Sequence, residues 1–160
     1  GFCTDTCAFP HPAVTDSRPV MLGYQAAGSA PFVRGAPVAN PETIATAIRI
    51  GNPQSWELAW AALRESGGWV DELGDDEILR AQKLLAEREG VFCEPASAIS
   101  VGGLRRDSAA GKIRPGSIIT CTLTGHGLKD PDTAIKQSDG AVIRIPADTN
   151  AVKRAILDRM

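Results

Sequence analysis

WVDELGDDEILRAQKLLAEREGVFCEPASAISVGGL, residues 69–104, is the stretch whose reading decides the fold. Trp69 to Leu73 reads as a short strand, with Gly74 as the turn after it. A helix follows from Asp75, placing Ile78, Ala81 and Leu85 on one apolar face, and Gly90 closes it. Val91 to Glu94 is a brief buried strand, and Pro95 restarts the chain as a small-residue helix through Leu104. Strand and helix alternating at this pace mark an α/β fold, a mostly parallel sheet flanked by helices.

The flanks continue the alternation. Upstream, Val20 to Tyr24 is a short apolar run ending in QAAGSAP, where small residues let a backbone or a ligand approach closely. Asn40-Pro41-Glu42 and Asn52-Pro53-Gln54 each set a capping side chain before a proline at the first helical position, and Asp130-Pro131-Asp132 repeats the device. In the second of these helices Trp56, Ala59, Trp60 and Leu63 form one buried stripe, stopped by Gly67-Gly68. Downstream, SIITCTLT at 117–124 carries the strongest strand signal of the chain, β-branched and apolar on both faces. Ala141 to Ile145 reads as a strand and Asp148 opens a last helix. Residues 1–18 have no clear period and read as a connecting segment.

Composition narrows the function classes. The 160 residues fit one domain, 43% hydrophobic and 22% charged, with a formal net charge of −2. No basic tract exceeds two residues, which argues against nucleic acid as a partner. No apolar stretch approaches the roughly 18 residues of a membrane span, and the amino end lacks the pattern of a signal peptide. The chain opens on Gly1 without an initiating Met, so a fragment of a longer protein is expected. Cys93 and Cys121 lie in apolar runs, where a thiol behaves as a small hydrophobe. Cys3, Cys7 and His11 offer only three ligands among prolines, too few for a zinc site; no metal is expected, and the setting reads as reducing and cytoplasmic.

In open α/β sheets ligands bind at the carboxyl ends of strands. Three such ends carry suitable chemistry: QAAG after Tyr24, Glu94-Pro95-Ala96-Ser97 after Cys93, and Thr124-Gly125-His126-Gly127 after Leu123. Helix capping alone would also put Glu or Ser at these places. A dinucleotide reading of the glycines fails, because Asp130 stands where the third glycine belongs. Asp75-Asp76-Glu77 opens a helix, where negative charge meets the positive end of the dipole, so its role is structural. His126 either transfers protons or holds its loop by a hydrogen bond; the second is favoured.

Four segments in order carry a resemblance: MLGYQAAGSAP at 21–31, NPETIATAIRIGNPQSW at 40–56, GVFCEPASAISVGGL at 90–104 and TLTGHGLKDPDTA at 122–134. Together they closely resemble the threonine synthases, over about residues 19 to 135. The resemblance implies the carboxy-terminal part of a fold-type II enzyme that uses pyridoxal 5'-phosphate, with residues 19–160 belonging to the catalytic region. The complete enzyme would be a carbon–oxygen lyase acting on O-phospho-L-homoserine and water to give L-threonine and phosphate, as a cytoplasmic homodimer.

By the same resemblance Thr124 matches the residue whose hydroxyl meets the pyridine nitrogen. A neutral hydroxyl does not hold that nitrogen protonated, so the ring is a milder electron sink. Glu94 resembles the acidic residue ending a strand near the cofactor, and Gln25 and Ala26 belong to the segment lining its pocket. No catalytic residue is expected within the chain. The lysine that forms the Schiff base lies amino-terminal to the matched region in the family, and Lys83, Lys112, Lys129, Lys136 and Lys153 fall outside its motif. The isolated chain is therefore expected to be inactive. The alternatives are a threonine dehydratase, from the same fold, and a non-catalytic remnant or binding module.

Overall fold

In the computed structural model, residues 19–137 and 145–158 are described. The expected strand Ala141 to Ile145, the connecting segment 1–18 and the Cys3, Cys7 and His11 group fall wholly or largely outside them. Strand β1 spans Leu22–Ala26 and β2 spans Trp69–Leu73. They pair in parallel, Leu22 opposite Trp69 and Ala26 opposite Leu73. Between them the chain passes through a short helix α1 (Pro31–Arg34), a 3-10 turn (Thr46–Ile48) and helix α2 (Trp56–Ser66). Helix α3 (Asp75–Glu89) follows β2 directly, and α4 (Pro95–Ala109) follows α3. Two further helices, α5 (Pro131–Gln137) and α6 (Thr149–Leu157), complete the described chain. The parallel pair with helices around it is the α/β class that the alternation indicates.

Local chemistry accounts for most boundaries. Gly67 and Gly90 end α2 and α3 in the left-handed region, at φ 66° and 67°. Glu77 Oε2 accepts from the Gly74 amide at 3.1 Å, closing the first turn of α3. Asp75 serves a neighbour instead, accepting from Thr43 Oγ1 at 2.6 Å and the Ile44 amide at 3.0 Å. Asp148 caps α6 by accepting from the Ala151 amide at 2.8 Å.

The core lies where α4 crosses β1. Leu22, Tyr24 and Ala26 alternate onto one face of the strand. Tyr24, Ala26, Leu73, Ile78, Ala96 and Ile99 pack as one cluster, and Ala81, Leu85, Cys93 and Ala98 as a second. Gly103 lies flat against the Tyr24 ring, which occupies the space a Cβ would need. Gly102 faces Leu73 at the end of β2 while Asp107, further along the helix, bonds Trp69 at its start, so α4 runs antiparallel to the strands. The amino end of α4 thus sits at the carboxyl end of the strand. In α2, Ala59 and Leu63 are buried, and Trp56 stacks on Phe32 at 4.6 Å.

Five expectations are corrected. Residues 117–124 form no strand: the segment is irregular, it has no ladder partner among the described residues, and Ile118 is fully exposed. Val91 to Glu94 contracts to a single bridge between Cys93 and His126. The Asn40-Pro41-Glu42 signal starts no helix; the Glu42 amide donates to Gly28 O at 2.9 Å and Asp75 holds the two residues that follow. α2 begins at Trp56 rather than Pro53, and α4 continues past Leu104 to Ala109. Among the described residues no helix is long and apolar enough to cross a membrane.

Candidate functional site

Glu94 stands at the junction that makes the site. It is the N-cap residue of α4, with Pro95 fixing the first helical φ, and only 4% of it is exposed. Its backbone meets the loop that follows residue 123: the Glu94 amide donates to Gly125 O and the Gly127 amide to Phe92 O, both at 3.0 Å. These two bonds flank the antiparallel bridge between Cys93 and His126. The loop is thereby sewn along residues 92–94, at the amino end of α4 and the carboxyl edge of the sheet.

Side chains complete the seam. Lys129 Nζ lies 3.0 Å from Oε1 and 3.0 Å from Oε2 of Glu94, a forked ion pair with a buried carboxylate. Ser97 Oγ accepts from the Gly125 amide at 2.9 Å and sits 3.2 Å from Thr124 Oγ1. A Cβ on Gly125 would overlap the Glu94 carboxylate, so only glycine allows this approach. His126 Nδ1 accepts from the Leu128 amide at 3.1 Å, and its ring stands edge-on to Phe92. His126 therefore holds the loop, as its position suggests. Burial pushes the Cys93 thiol up, with the neighbouring Glu94 charge acting in the same sense.

The four candidate residues are not equivalent. Thr124 is exposed and carries its hydroxyl beside that of Ser97. Glu94 is brought to the same place, but Lys129 occupies both of its oxygens. Gln25 is half-buried, and its Oε1 accepts from the Phe32 amide at 2.9 Å, fixing the turn after β1. Ala26 is fully buried and belongs to the same core cluster as Ala96. Gln25 and Ala26 thus shape the strand end from within. Ser97 and Lys129 are the residues that sequence reasoning leaves without roles. Their signals lay in the quoted motifs: one turn into the helix after Glu94-Pro95, and two residues after Gly127.

The expected pyridine ring can be tested against these groups. Its nitrogen takes one hydrogen bond from a neutral donor, and Thr124 offers an exposed neutral hydroxyl at the sheet's carboxyl edge. The one buried acid alongside is already matched by an ammonium. The residues present therefore fit the ring-nitrogen end of that cofactor. Among the described residues no group of three or more His, Cys, Asp or Glu could hold a metal ion.

The chain is similar to known proteins over most of its length. The chain is 52% identical to a threonine synthase of Synechocystis over 136 residues, 85% of this chain and 35% of that protein. It is 53% identical to a threonine synthase of Halalkalibacterium halodurans over 133 residues, 83% of this chain and 38% of that protein. It therefore spans little more than a third of the length of these curated relatives. The crystal structure of a threonine deaminase from T.th. superposes with a TM-score of 0.46 at 22% identity, covering 56% of this chain and 32% of that one. A family model for pyridoxal-phosphate dependent enzymes matches residues 9–125, and the chain belongs to that family.

Proposed function

We propose that the chain supplies the ring-nitrogen side of the pyridoxal phosphate site in a threonine synthase, a lyase that turns O-phospho-L-homoserine and water into L-threonine and phosphate. The observation that carries the reading is the exposed Thr124 hydroxyl beside Ser97, in a chain half identical to threonine synthases. When bound, the cofactor supplies the electron sink for elimination and replacement at the substrate carbons. The protein's part is to present a hydroxyl at the ring nitrogen and to keep the neighbouring carboxylate engaged elsewhere. Gln25 and Ala26 would support the pocket wall by fixing the turn after β1.

Residues 19–160 would form the carboxy-terminal part of the catalytic region, and the complete enzyme would act in the cytoplasm as a homodimer, without nucleic acid. The chain alone would not turn over substrate. Covalent capture of the cofactor needs a lysine poised to attack its aldehyde. Lys129 is paired with Glu94, Lys112 with Asp71 and Asp107, and Lys83 with Glu87. Mixing the chain with pyridoxal phosphate, reducing with borohydride and mapping the peptides tests this. No single lysine should be labelled stoichiometrically; one that is would overturn the proposal.

A further inference from the structure

We propose that Lys129 is the positioning residue for Thr124, acting through Glu94 and Gly125. The inference rests on the reading of Thr124 as the cofactor-facing hydroxyl and adds the device that fixes it in place. The Glu94 side chain is 5% exposed and would stand uncompensated without Lys129, which reaches both of its oxygens at 3.0 Å. A buried carboxylate that loses its cation is driven toward water. It cannot move here without consequence, because it lies against the Cα of Gly125 where any Cβ would collide. Gly125 hydrogen-bonds to Glu94 through its carbonyl and to Ser97 Oγ through its amide, and Ser97 Oγ in turn meets Thr124 Oγ1. The position of one carboxylate thus sets the position of the loop and of the hydroxyl it carries.

The pair has a chemical consequence as well. With Lys129 bridging both oxygens, the Glu94 charge is balanced by an ammonium, so a ring nitrogen there meets Thr124 rather than an unpaired acid. The ammonium is half exposed, so its value lies in geometry more than in Coulomb energy, which solvent screens. Arginine can keep the charge and a forked contact to a carboxylate, whereas methionine keeps the stem alone.

Amide hydrogen exchange on the full 160-residue chain tests the idea. Lys129→Met should speed exchange at Gly125 and Gly127 about tenfold or more while the amides of β2 and α3 stay within about twofold. Lys129→Arg should keep wild-type protection. Gly125→Ala, which displaces the carboxylate but leaves Lys129 intact, should open the Gly127 amide in the same way. Wild-type protection in Lys129→Met, or faster exchange shared equally with α3, would overturn the proposal. So would an arginine variant as open as the methionine one. These amides report the latch without cofactor, whereas an error in the role of Thr124 would show only in turnover of its own variants.

Discussion

The buried carboxylate of Asp107 accepts a 2.6 Å hydrogen bond from the phenol of Tyr24, 83 residues earlier in the chain. The same oxygen accepts from Trp69 Nε1 at 2.8 Å, so one side chain near the end of α4 grips both strands. Lys112 reaches the second oxygen at 3.2 Å. Arg106, one residue before, donates to Glu72 O at 2.6 Å and pairs with Asp71 at 2.7 Å. Helix and sheet are thus joined by this polar clamp near the carboxyl end of α4, and by the buried cluster that holds Ala26 and Ala96. Ser97, the residue after Ala96, meets Thr124.

Tyr24 is the only tyrosine of the chain, which makes its ionisation directly visible. Burial raises its phenol well above the ordinary value, and the hydrogen bond to Asp107 raises it further. A group whose native value is raised contributes stability that is complete below the unfolded value of about 10 and is lost as pH climbs beyond it. Phenolate absorbance should therefore stay absent at pH values where a free tyrosine ionises, and should appear together with loss of the circular dichroism signal. Asp107→Asn should lower the phenol only in part, since burial is the larger cause. A native chain ionising near pH 10 would contradict the clamp.

Asp107 gives the acid-side counterpart. Burial alone would raise its carboxyl, but hydrogen bonds from Tyr24, Trp69 and Lys112 outweigh this and hold it below the usual range. Its contribution is then complete above the unfolded value of about 3.9 and fades as pH falls through the lower native value. Asp107→Asn should cost about 2–4 kcal/mol in urea unfolding at neutral pH, because a buried charge-assisted acceptor of two donors is weakened. The gap between wild type and variant should hold from about pH 5 to 8 and narrow below about pH 4. A gap that persists unchanged into strong acid would show that the carboxylate charge is not what matters.

Gly103→Ala tests the close approach of α4 to β1. By helix propensity alone, alanine should stabilise α4 by up to about 1 kcal/mol. Here its methyl would enter the space of the Tyr24 ring, which Asp107 holds in place. Overpacking of this kind typically costs about 1–3 kcal/mol, so the net effect should be destabilising. A raised unfolding midpoint would show that the ring can shift.

Legibility in the sequence followed the range of the interactions. β2, α3 and the glycine closures of α2 and α3 were readable because period and caps act within a few residues. The motifs also placed Glu94 and Thr124 together, although not the Lys129 and Ser97 contacts that define how each is used. The strand signal of SIITCTLT describes what the segment can pair with, not whether a partner is at hand. Asn40-Pro41-Glu42 looked like a helix start, yet proline's φ suits extended backbone equally well. What decided that loop was Asp75, a residue more than thirty positions away whose acidic cluster already had a sufficient local explanation. Gln82 shows the same limit: it donates to Cys93 O at 2.7 Å and accepts from Gln137 at 2.6 Å, and no local pattern announces it.

The claim on which the account turns is that the Thr124 hydroxyl serves the cofactor. Joining this chain to the amino-terminal part of a threonine synthase, in place of the matching segment, gives an enzyme in which phosphate release from O-phospho-L-homoserine can be followed. Thr124→Ser should keep most of the turnover, while Thr124→Val, equal in shape but without the hydroxyl, should lose about tenfold or more at unchanged unfolding midpoint, the loss expected for one hydrogen bond of ordinary strength. Equal turnover in the threonine and valine enzymes would contradict the account.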